Sequence, residues 1–83
     1  LGTNALSVAH GLSTPDADEA ATKRAMIAAC TTTVVLADSS KINREELVSF
    51  GTLDDVDVLV TDEGIDASFA DEIRAHQIEL VIA

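Results

Sequence analysis

The 83-residue sequence has no tryptophan and no tyrosine, and only two phenylalanines. A core built around aromatic rings is therefore excluded, and the core must come from Ala, Val, Leu and Ile. Bases are also scarce. Five Lys and Arg stand against fifteen Asp and Glu, a formal charge of −10. That balance argues against a phosphate-backbone-binding surface on these residues, which needs clustered cations. It equally argues against a polybasic membrane contact. The lone Cys30 excludes an internal disulfide, and no Cys/His spacing fits a zinc site. Four scattered glycines form neither a dinucleotide fingerprint nor a Walker loop, so no cofactor is expected. No apolar run approaches the ~18 residues of a membrane-spanning helix. With no signal segment in view, a cytoplasmic setting is expected.

What is present is aliphatic and periodic. Apolar residues make up 47% of the chain, enough for one small domain. Strand-like runs alternate with helix-like runs. A short strand is expected over 5–9, followed by a loop over 11–15. Asp16 has the character of a helix N-cap, with Glu19 three residues on to complete a capping box. The Ala-rich segment 17–30 is then a helix. The β-branched run over 31–37 is a strand covered on both faces. A helical turn is expected over 44–50, a strand over 56–61, a turn over 62–64, a helix from Asp66 or Ala67 to about His76, and a last strand over 78–82. This alternation predicts an α/β fold, a parallel sheet with helices on both faces. Four strands leave open edges, and the chain starts without Met and ends on the apolar run Leu80-Val81-Ile82-Ala83. Both features lead to the expectation that it is a piece of a larger chain.

In open parallel α/β sheets, ligands bind beyond the carboxyl ends of the strands. Three segments are expected there: residues 9–16, residues 38–41 and residues 62–64. In the second, Asp38, Ser39, Ser40 and Lys41 bring two hydroxyls and an ammonium to a strand exit, a composition suited to phosphate oxygens. The alternative is a serine-capped turn with a solvated lysine. Asp16, Glu19 and Lys23 share one helix face and could bind sugar hydroxyls. The alternative is a cap plus an ordinary i,i+4 pair, worth only ~0.2–0.5 kcal/mol. His10 reads as a loop histidine, His76 as a dipole-stabilising helix end, and Cys30 as a small buried hydrophobe. Asp54, Asp55, Asp57, Asp62, Glu63 and Asp66 lack calcium-loop spacing and read as a solvated acidic face.

The run Gly11-Leu12-Ser13-Thr14, then Asp16, Glu19-Ala20 and Lys23-Arg24-Ala25-Met26-Ile27, resembles the sensor domain of DeoR-family bacterial transcription regulators. So do Val35-Leu36-Ala37-Asp38-Ser39-Ser40-Lys41 and the run from Leu53 through Asp62, in order and spacing across nearly the whole chain. The resemblance implies a sensor related in fold to sugar-phosphate isomerases and aminosugar-phosphate deaminases. It implies a phosphorylated sugar as effector, operator DNA bound through an amino-terminal winged helix-turn-helix outside these residues, and homo-oligomers. On that basis residues 1–83 are the carboxyl-terminal portion of the sensor, without its first half. Lys41 then looks like the lysine that holds phosphate in the related deaminases. Asp16, Glu19 and Lys23 match the family's D-x-x-E-x-x-x-K pattern. The segment Val8-Ala9-His10-Gly11-Leu12 lacks the deaminases' Asp-Gly-His element, which points to binding without turnover. An enzyme of the same fold and a non-sensing oligomerisation module are the competing readings.

Overall fold

A computed structural model describes residues 1–83. In chain order the elements are β1 (Ala5–Ser7), β2 (Gly11–Thr14), α1 (Ala17–Ala29), β3 (Val34–Leu36), β4 (Val48–Gly51), β5 (Val58–Thr61), α2 (Ala67–Ala75) and β6 (Glu79–Ile82), with 3-10 turns at Ser39–Lys41 and Leu53–Asp55. The aliphatic strands behave as their composition dictates. β5 pairs in parallel with β3 on one side and β6 on the other, placing Val35, Leu59 and Leu80 in one row. Gly2 adds a further parallel bridge at Leu36. α2 provides the β5-to-β6 crossover. Asp66 caps it by accepting from the Phe69 N–H at 3.1 Å, and Phe69, Ala70 and Ile73 form its buried stripe. Gln77, with φ of 61°, takes the left-handed position that ends the helix, and buried Ile78 follows.

The remaining strands depart from the expected single parallel sheet. β1, β2 and β4 form a separate antiparallel sheet in the order β1-β2-β4. The loop expected over 11–15 is largely a strand, and all four of its residues are buried. Its Gly and Ser, with Pro15 behind them, are turn formers by composition. Here Ser13 finds a partner, its Oγ accepting from the Glu46 N–H at 2.9 Å. Gly11 sits at φ of 69°, and a Cβ there would lie 2.1 Å from the Gly51 carbonyl oxygen, so only glycine fits. The helical turn expected over 44–50 is also corrected. Val48–Gly51 is a strand, because ladder bonds to β2 outweigh a weak local helical pattern.

The helices do not sandwich the parallel sheet. α2 packs beside β6, whereas α1 lies on β4 and β2 of the antiparallel sheet. Ala20 is the one buried residue of α1, and Met26 is exposed. Asp16 caps α1 by accepting from the Asp18 N–H at 3.1 Å. The expected capping box does not close, because the Glu19 carboxylate turns to Lys23 instead. Cys30 is exposed rather than buried, since the chain leaves the helix there in extended conformation.

A single apolar core joins the two sheets and both helices, including Leu6, Leu12, Val35, Leu59 and Ile73. It is not the purely aliphatic core expected, since both phenylalanines, Phe50 and Phe69, are buried in it. Leu59 is fully buried on the central strand. Leu59→Ala should lower the unfolding free energy by about 2–5 kcal/mol in urea titrations. Leu47→Ala, at a side chain 83% exposed, should change it by less than about 0.5 kcal/mol.

Candidate functional site

Because β3 and β5 run in parallel, their carboxyl ends lie side by side, and the Ala37 N–H continues the ladder by donating to the Val60 carbonyl at 3.1 Å. The two segments that follow are therefore neighbours. After β3, Asp38 caps the 3-10 turn. Its Oδ1 accepts from the Ser40 N–H at 2.9 Å and from the Ser40 hydroxyl. The turn carries Lys41 back over its own cap, with Nζ 3.9 Å from Asp38 Oδ2. After β5, Asp62 accepts from the Ser39 N–H at 3.0 Å through Oδ2 and from the Gly64 N–H at 2.9 Å through Oδ1. One carboxylate thus joins the two turns.

These turns border an open pocket of ≈ 370 Å³ at the carboxyl edge of the parallel sheet. Leu36 and Val60 supply its aliphatic surface, Asp38, Lys41 and Asp62 its charges, and Gly2 and Thr3 part of its wall. Lys41 is its only basic residue, and neither His nor Cys lines it. Thr61 also lines it, and its buried Oγ1 has no hydrogen-bond partner. Hydrogen bonds from the Ser40 hydroxyl and N–H, helped by Lys41, hold the Asp38 carboxyl below its usual range. The Ser39 N–H and side chain and then the Gly64 N–H do the same for Asp62. Both are carboxylates at neutral pH. The arrangement offers one point charge for an anionic oxygen and two acceptors for hydroxyls.

The residues singled out in the sequence fall into two groups. Asp38 and Lys41 line the pocket, and Ser39 and Ser40 build the turn behind them. Asp16, Glu19 and Lys23 are on α1 and do not line it. Asp16 caps the helix. Lys23 binds Glu19 Oε1 at 3.1 Å and the Gly2 carbonyl at 2.8 Å, and lies 5.3 Å from the centroid of the Phe50 ring. Its link to the pocket is Gly2. Asp62 and Thr61 were missed as individual site residues. The signal for Asp62 was its place at a strand exit, equivalent to that of Asp38. Thr3 and Gly2 carried no signal, since a single bridge to β3 brings them there.

Elsewhere, polar groups serve the fold. His10 Nε2 lies 2.8 Å from the Glu46 carbonyl oxygen, and His76 caps α2 with Nδ1 3.8 Å from Asp54 Oδ1. Of the acidic residues read as a solvated face, Asp55, Asp57 and Asp66 accept from backbone N–H groups of Thr52, Thr33 and Phe69. No group of three or more His, Cys, Asp or Glu is gathered to hold a metal ion, and no helix is long and apolar enough to cross a membrane.

A folded-state pKa below the unfolded value means that the native state loses stability when the group protonates. The stability contributed by Asp38 and Asp62 is thus complete above their ordinary value of 3.8 and is lost as pH falls below it. Thermal midpoints measured against pH should therefore fall more steeply in this acid range for the wild type than for Asp38→Asn or Asp62→Asn.

Comparison with known proteins adds to this geometry. The chain is similar to the HTH-type transcriptional regulator GlpR of Haloferax volcanii, 41% identical over 81 residues, which make up 98% of this chain and 32% of that protein. It is 33% identical over 82 residues to a protein of Escherichia coli provisionally named an aga operon transcriptional repressor, covering 99% of this chain and 30% of that one. With the HTH-type transcriptional repressor GlcR of Bacillus subtilis the identity is 27% over 73 residues, 88% of this chain and 28% of that protein. The chain therefore spans less than a third of the length of each of these relatives. Residues 1–63, which take in the bridge at Gly2, the Ser39–Lys41 turn and Asp62, match the family described as the DeoR C terminal sensor domain, and the chain belongs to that family.

Proposed function

We propose that this chain is the effector-binding portion of a DeoR-type transcriptional repressor of sugar metabolism, and that a phosphorylated sugar occupies the pocket at the carboxyl ends of β3 and β5. The observation that carries this reading is Lys41, the single cation of that pocket, at the exit of a parallel strand. Lys41 takes the phosphate, with the Ser39 and Ser40 hydroxyls close by on the same turn. Asp38 and Asp62 accept from sugar hydroxyls, fixing which sugar binds. Lys23 acts from behind the pocket wall, through the Gly2 carbonyl, with Glu19 paired to it and Asp16 capping the helix that carries both. The effector is bound and not turned over, in keeping with the segment Val8-Ala9-His10-Gly11-Leu12, which lacks the Asp-Gly-His element of the related deaminases. The kinship in fold to sugar-phosphate isomerases belongs to the same reading.

Operator DNA is contacted by a winged helix-turn-helix outside these residues, in keeping with their charge of −10. Residues 1–83 are then the carboxyl-terminal portion of the sensor. Exposed aliphatic side chains on the parallel sheet, Val34, Leu36, Val81 and Ile82, support burial against further polypeptide in a homo-oligomer. The effector alters operator affinity by binding one conformational state better than the other.

A thermal-shift screen of the full-length protein against sugar phosphates and their unphosphorylated counterparts tests this. At about a hundred times its dissociation constant, the effector should add ~2.7 kcal/mol of stability. The unphosphorylated sugar should add far less, and Lys41→Ala should abolish the shift. A folded sample that responds to no phosphorylated sugar would favour the oligomerisation module instead.

A further inference from the structure

We propose that Asp62 is the positioning residue of the anion site, a two-oxygen clamp that holds the turn bearing Lys41 against the turn that follows β5. This rests on the reading of Lys41 as the phosphate-holding group. Asp62 Oδ2 accepts from the Ser39 N–H at 3.0 Å, at the start of the Ser39–Lys41 turn. Oδ1 accepts from the Gly64 N–H at 2.9 Å. The turns are in close approach, since a Cβ on Gly64 would lie 2.6 Å from Ser39 Oγ and 2.9 Å from Asp62 Oδ1. Both oxygens are acceptors with different donors, so an asparagine at this position must lose one bond and turn its own N–H groups toward a donor.

Asp38 differs in this respect. Its contacts with the Ser40 N–H and hydroxyl use one oxygen, Oδ1, which the amide oxygen of asparagine can replace, while Oδ2 faces Lys41 at 3.9 Å. Two carboxylates of equal charge line one pocket, yet one clamps the turn and the other competes with the ligand for the lysine. Electrostatics alone predicts that removing either charge tightens anion binding. The clamp predicts opposite signs.

The test is titration of the full-length protein with inorganic phosphate, followed by amide NMR, for wild type, Asp62→Asn, Asp38→Asn and Lys41→Ala. Asp62→Asn should bind phosphate roughly tenfold more weakly or worse, with faster amide exchange at Ser39 and Gly64. Asp38→Asn should bind inorganic phosphate more tightly than wild type, because Lys41 loses the carboxylate that competes for it and phosphate carries no sugar hydroxyl for Asp38 to accept from. A residue that only supports the fold would lower the thermal midpoint and leave the affinity unchanged. Wild-type or tighter binding by Asp62→Asn, whatever its midpoint, overturns the clamp and leaves Lys41 standing. Wild-type binding by Lys41→Ala overturns instead the reading on which the clamp rests.

Discussion

The parallel alignment of β5 between β3 and β6 is the constraint on which the site depends. With Val35, Leu59 and Leu80 in one row, the strands end at a common level. The chain must leave β3 and β5 on the same edge, so the Asp38 and Asp62 turns meet. An antiparallel neighbour would send its exit loop to the opposite edge. The row is also the heart of the core, since Val35 and Leu59 are fully buried. Packing and site geometry are therefore one requirement: whatever shifts the register of β5 moves the partner of Ser39 away from Ser39.

The antiparallel sheet contributes at a distance. It seats α1, and α1 in turn presents Lys23 to the Gly2 carbonyl. Gly2 and Thr3 form part of the pocket wall, and the Thr3 hydroxyl donates to the Ala5 carbonyl at 2.8 Å. The amino-terminal residues are thus fixed from two sides, by the bridge to Leu36 and by a lysine of α1. Lys23 is more deeply held than Lys41, its side chain 16% exposed against 40%.

The legible parts of the sequence were those where local chemistry and tertiary demand agree. The cap at Asp16, the start of a helix at Asp66 or Ala67 and the strands of the parallel sheet carry their signals in a few consecutive residues. The lysine at the exit of β3 followed from topology, because strand exits of parallel sheets face the ligand side. Gly11-Leu12-Ser13-Thr14 was opaque for a physical reason. Its Gly and Ser favour turns in isolation, and the segment becomes a strand only when β1, β4 and the Glu46 N–H supply partners. Val48–Gly51 was opaque in the same way, since its strand character comes from pairing with β2. The clamp at Asp62 lay beyond sequence reading because its donors, Ser39 and Gly64, are brought together only by the register of two strands distant in the chain.

A chain of charge −10 is at first sight a poor host for an anion, yet net charge is not what a ligand meets in a pocket. The charges of Asp38 and Asp62 are already turned onto backbone N–H groups, whose dipoles offset part of the negative field at short range. Lys41 has Asp38 as its ion-pair partner, at 3.9 Å, beyond a tight charge-assisted hydrogen bond. Lys23 is committed to a carboxylate, a carbonyl and an aromatic face together. Of the two lysines the sequence singled out, the one that gives up least on meeting an anionic oxygen is therefore the one that lines the pocket. An incoming phosphate that draws Lys41 from Asp38 leaves a carboxylate whose Ser40 contacts remain in place, so the exchange does not require the turn to rebuild.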